Sequence, residues 1–187
     1  MVNSRIPWLE YWVVFCVSTF LLMGAGTEVG LAGWISNYAV EKYGATEQTG
    51  ALLTSAFWMG MTAGRFVAVP LALRFSPRAM LTGDILLGLV GLGILYWTPN
   101  IAGDWAGTII CGVAIASMFP SAMSLPVSLN MRVSGTATAW FVSGASSGEM
   151  VVPFLMVGVH ARARRGRGER PTGARRACAW THLATRP

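Results

Sequence analysis

The sequence predicts an all-α membrane protein with about five transmembrane helices, on three observations. Of 187 residues, 53% are hydrophobic and only 12% charged, where a soluble domain carries about a quarter. The apolar residues fall into five long stretches, each able to cross a hydrocarbon core roughly 30 Å thick as a helix. The stretches are separated by loops that are Arg-bearing and Arg-free in turn, as successive membrane crossings require. So apolar a chain lacks the polar surface of a soluble globular enzyme, and its apolar fraction rules out a disordered chain.

The first span covers about 11–38, interrupted by Glu28 and holding Gly24, Gly26, Gly30 and Gly33. So many glycines predict an outer half that is bent or partly unwound. The second span, 51–73, contains Arg65 and, near its end, Pro70. The third, 80–98, carries Asp84 in its first two turns. The fourth, 105–125, lies in a stretch free of charge, with Pro120 in its second half and Pro126 helping to end it. The fifth, 134–158, includes Glu149 and Pro153, and its apolar character stops after Val159. The first run is too long for a cleaved signal and is read as a membrane span.

Loop charges set the orientation. Arg5, the loop with Arg74 and Arg78, and the loop with Arg132 mark the cytoplasmic side, while Glu41, Lys42, Glu47 and Asp104 mark the other. Trp8, Trp12, Trp97 and Trp105 stand at span ends, where amphipathic rings favour the interface. The formal net charge of +6 belongs to a tail, because residues 160–187 hold eight Arg and one Glu. The body, 1–159, is close to neutral, which gives no support to nucleic-acid binding. Five crossings put the tail outside, the wrong face for a polybasic segment that binds anionic lipid. Its narrow composition of Arg, Ala, Gly, Pro and Thr fits non-native read-through better.

Ionisable groups inside spans are expensive unless they face a partner or a cavity. Glu28 reads either as a solute or cation-coupling acceptor or as a carboxylate that caps freed backbone donors. Glu149 lies roughly 22 Å along its helix at 1.5 Å per residue, towards the outer face. There it either joins Glu28 or reaches solvated interface. Arg65 and Asp84 lie roughly 13 Å and 9 Å from the cytoplasmic ends of consecutive antiparallel helices, a placement that predicts a charge pair. Trp34 and Asn37 offer ring stacking and an amide to a polyol, although Trp34 also suits an interface anchor. Phe119, Ser121 and Ser124 are either path residues or helix glue. Gly60 and Gly64 form a small-xxx-small pair that suits helix packing. The body has no histidine, since His160 and His182 lie in the tail. Cys16, Cys111 and Cys178 show no metal-ligand spacing. Neither a catalytic site nor a metal site is expected.

Four stretches, in order, carry a resemblance. Gly60-Met61-Thr62-Ala63-Gly64-Arg65, leading into Arg74-Phe75-Ser76-Pro77-Arg78, resembles the basic loop that recurs in each half of major facilitator superfamily transporters. Residues 116–125, with Phe119-Pro120-Ser121, are similar to the tenth helix of the fucose-permease and sodium-dependent glucose transporter branch. Gly144-Ala145-Ser146-Ser147-Gly148-Glu149 resembles the eleventh helix there, and Gly26-Thr27-Glu28-Val29-Gly30 the seventh. The resemblance covers about 12–159 and lacks the aspartate of the family's fuller loop motif.

It implies that the five spans correspond to helices 7–11 of a major facilitator fold. The N-terminal half and the twelfth helix would then have no counterpart here. The implied function is secondary transport of a sugar-like solute by alternating access, with Na⁺ or H⁺ as a coupling ion and no other cofactor. Glu28, Trp34, Asn37, Phe119, Ser121, Ser124 and Glu149 would line the path. Arg65, Asp84, Arg74 and Arg78 would form the cytoplasmic gate. A lone half would need the missing N-terminal half to enclose the path, in a bilayer taken by default to be the plasma membrane. The alternative is a small multi-span membrane interaction protein without transport activity.

Overall fold

A computed structural model describes residues 7–131 and 133–166, all of them in helices or short connections. The expectations for Arg5, Arg132, Cys178, His182 and the tail beyond Gly166 lie outside the described residues. Two compact units divide the chain after Val152. In the second, residues 153–166 continue as helix, with Phe154, Leu155, Val157 and Val159 exposed.

The order is α1 (Pro7–Tyr43), α2 (Glu47–Ala72), α3 (Pro77–Trp97), α4 (Ile101–Ile115), α5 (Met118–Ser128) and α6 (Gly135–Gly166). Among the described residues five helical segments are long and apolar enough to cross a membrane, α4 and α5 together making one of them. The connections are short because the sequence supplies stop and start chemistry at each. Gly44 takes φ +63° after α1, a left-handed conformation that glycine adopts without steric cost. Thr46, Ser76 and Asn100 then cap α2, α3 and α4 by accepting from Thr49 N, Ala79 N and Gly103 N.

Two expectations are corrected. The first helix is continuous from Pro7 to Tyr43 and nowhere unwound. Its glycines do not break it: Gly26 packs on Gly148 and Val152 of α6, while Gly33 faces open space. The fourth span is instead the broken one, interrupted at Ala116-Ser117. Pro120 explains the break, since its ring clashes with the carbonyl four residues earlier and it has no N–H to give.

Close backbone approach holds the helices together. A Cβ on Gly60 of α2 would lie 2.6 Å from the Ile109 carbonyl oxygen, and one on Gly64 2.9 Å from Val113 Cα. On the other face of α4, a Cβ on Gly107 would lie 3.0 Å from the Gly91 carbonyl oxygen of α3. The α4–α5 span is therefore central, with 44% of its most apolar window buried against 11% in α3. Around it sit two apolar clusters. One gathers Ile35, Ala39, Leu53, Phe57, Met61, Leu95 and Cys111. The other gathers Val17, Leu21, Ala122, Phe141 and Ala145.

Gly60→Val is expected to destabilise the bundle by about 1–3 kcal/mol or more, because the Ile109 backbone cannot yield. Gly83→Ala, with nothing within 4 Å of the new Cβ, should be neutral or stabilising by up to about 1 kcal/mol. Thermal unfolding of the two variants in detergent measures the difference.

Candidate functional site

The charged groups along the helices sort into three places. The first surrounds Glu28, half-buried on α1. Arg65 of α2 and Glu149 of α6 both lie within electrostatic reach of it, the one attractive and the other repulsive. Glu28 thus meets the field of one guanidinium and one carboxylate from two other helices, both of those residues being exposed. The Arg65 side chain folds back along α2, its Nη2 3.6 Å from Met61 Sδ.

The second place corrects the expected pairing. Arg65 and Asp84 form no ion pair, and Asp84 accepts the Ser117 hydroxyl at 2.6 Å. The reason lies in the packing: α4 lies against both α2 and α3, and those two barely touch each other. Ser117 sits 4% exposed at the break in the fourth span, so Asp84 ties α3 to that break. Pro120, three residues beyond, was the sequence signal for it.

The third place was missed by the sequence reading, which took Lys42 and Asp104 as loop charges. Asp104 is fully buried. Lys42 Nζ lies 3.6 Å from Asp104 Oδ1 and donates to Tyr38 Oη at 2.7 Å and to the carbonyls of Leu95 and Thr98 at 3.0 Å each. Those carbonyls end α3, so the ammonium also meets the negative end of a helix dipole. The Tyr38 and Tyr43 rings stand 4.9 and 5.0 Å from the same nitrogen. The C-terminal ends of α1 and α3 and the N-terminal end of α4 are joined at this one point.

The remaining expected residues are dispersed. Asn37 is exposed, and nine residues from Glu28 is about two and a half turns, which puts it on the opposite face of α1. Trp34 is half-buried. Phe119 is 41% exposed and Ser121 is buried at 5%. The Ser124 hydroxyl donates to the Ser121 carbonyl at 2.9 Å. Arg74 and Arg78 are exposed at the α2–α3 connection. Arg78 lies in the first turn of α3, where a cation opposes the helix dipole. Its position follows the membrane charge rule instead. Trp8, Trp12 and Trp97 are exposed, whereas Trp105 packs against the apolar core. A groove of about 780 Å³ between α1 and α6 is lined by Tyr11, Phe15, Ser18, Trp140, Phe141 and Ser147 among others. It contains none of the residues expected on the path.

A profile of the Major Facilitator Superfamily matches residues 1–153. The chain belongs to that superfamily. It is 30% identical over 160 residues to the major facilitator superfamily domain-containing protein 4A of Xenopus tropicalis, covering 82% of this chain and 31% of that protein. It is 35% identical over 136 residues to the sodium-dependent glucose transporter 1 of Danio rerio, covering 70% of this chain and 22% of that protein. The human sodium-dependent glucose transporter 1 is 30% identical over 138 residues, or 73% of this chain and 26% of that one. The chain therefore spans less than a third of the length of these relatives. No solved structure matches it. Family and helices together make it an integral, multi-pass membrane protein.

Lys42→Met leaves the enclosed Asp104 carboxylate unneutralised and should cost about 3–5 kcal/mol. Asp104→Asn should cost less, because Lys42 keeps its three hydrogen bonds. Melting temperatures of the two variants test that order. The packing also implies that exchanging the charges, Arg65→Glu with Asp84→Arg, gives no rescue. Ser117→Ala, which strips Asp84 of its donor, should cost about 1–3 kcal/mol, and recovery of folded protein reports both results.

Proposed function

We propose that this chain forms one side of the path of a secondary carrier for a sugar-like solute. It works by alternating access against a second half and is driven by a monovalent cation. The Glu28, Arg65 and Glu149 group supports this reading most. Two carboxylates and one guanidinium leave one net negative charge along the membrane spans, which is costly there unless it has a task or a counter-ion. A bound Na⁺ or H⁺ would neutralise it. Family membership supports transport, and the names of the zebrafish and human relatives point to glucose and sodium. Trp34 and Phe119 would supply stacking faces, and Ser121 and Ser124 hydroxyl partners, that a polyol needs. Arg65, Asp84, Arg74 and Arg78 would serve the cytoplasmic gate, and the plasma membrane is the proposed site of action.

The test is labelled-hexose uptake into liposomes containing this chain, alone and together with the N-terminal half of a full-length relative, under Na⁺ and pH gradients. Uptake is expected only with both halves. Glu28→Gln should lower it about tenfold or more, as loss of a charged hydrogen-bond partner does, and should flatten its cation dependence. No uptake of any hexose, or a Glu28→Gln variant as fast and as cation-dependent as the parent, would overturn the proposal. A membrane interaction role without transport would then stand in its place.

A further inference from the structure

The Lys42–Asp104 junction is short of protons when its hydrogen bonds are counted. An ammonium has three N–H donors, and Lys42 directs them at Tyr38 Oη, the Leu95 carbonyl and the Thr98 carbonyl. The 3.6 Å approach to Asp104 Oδ1 is therefore a Coulomb contact and not a hydrogen bond. Tyr43 has a single phenolic proton, shared between the Thr98 carbonyl at 3.2 Å and Asp104 Oδ1 at 3.3 Å. Asp104 Oδ2 makes no hydrogen bond in the described structure, and neither does Thr108 Oγ1. Both residues are 0% exposed.

A buried carboxylate left in this state costs more than an ordinary unmet hydrogen bond. Asp104 and Thr108 are four residues apart on α4 and share a face, with Cβ atoms about 5–6 Å apart in such pairs. Two hydrogen bonds of about 2.8 Å meeting at one water join oxygens about 4.5 Å apart, a separation within reach of side chains on such a pair. Lys42 already neutralises Asp104, so a second cation would bring a net positive charge into the core. A neutral donor avoids that cost.

We propose that Asp104 Oδ2 and Thr108 Oγ1 form a binding site for one structural water molecule. The water donates to the carboxylate and bonds to the threonine hydroxyl, completing the junction that joins α1, α3 and α4. Lys42 and Tyr43 are the charged and titratable groups that contact Asp104 from the other elements, and both remain as they are when the water binds.

The sign of one substitution separates this site from a dry one. Val matches Thr in shape but lacks the hydroxyl. If the hydroxyl holds a water on Asp104, Thr108→Val lowers Tm by about 3–6 °C and Thr108→Ser stays within about 2 °C of the parent. If the hydroxyl is simply unsatisfied in a dry core, Thr108→Val leaves Tm unchanged or raises it, and the proposal fails. Should Thr108→Val yield no folded protein, a map of the purified 187-residue chain that shows ordered solvent decides. A peak within hydrogen-bond distance of both oxygens supports the site, and its absence overturns it. Melting in NaCl against choline chloride at equal ionic strength should give the same Tm. A Na⁺-specific rise abolished in Thr108→Val would replace the water with a cation.

Discussion

When the surroundings are lipid, apolar side chains gain little by leaving them, so helices associate only as far as their backbones can approach and interlock. The rest of this bundle depends on that constraint. Gly60 and Gly64 of α2 lie on Ile109 and Val113 of α4, Gly91 and Gly107 bring α3 onto the same helix, and Gly144 of α6 rests on Ser18 of α1. Because α4 takes contacts from both α2 and α3, it separates two helices that are consecutive in the chain. The separation of Arg65 from Asp84 follows from that placement.

The polar groups show the consequence. Asp84 cannot meet Arg65 and is satisfied by Ser117, which Pro120 has left at a break in the helix. Arg65 lies within electrostatic reach of Glu28. At the opposite end, Lys42 leaves its apparent place in a loop and closes over the last carbonyls of α3, next to the buried Asp104. Each is a local answer to one cost, that of an ionisable group held away from water.

Legibility in the sequence divides along the same line. The five spans were readable, because they rest on runs of apolar residues, whereas the caps at Thr46, Ser76 and Asn100 emerged only with the helices they start. The intramembrane charges could be named but not partnered. Glu28 and Asn37 looked associated until helical phase placed them on opposite faces of α1. Lys42 and Asp104 looked like loop charges because hydropathy counts charges and cannot see that Tyr38, Tyr43 and two carbonyl groups enclose them.

The sequence alone determined the environment, the runs long and apolar enough to cross a membrane, and the family, since each follows from composition and local order, which no partner helix alters. The tertiary structure alone decided where the fourth span breaks and whether α1 stays whole. It also decided which carboxylate meets a cation and which a hydroxyl. In lipid a helix shows weak amphipathic periodicity, so the chain carries little record of which face is turned inward. That information appears only when glycine seams fix the neighbours.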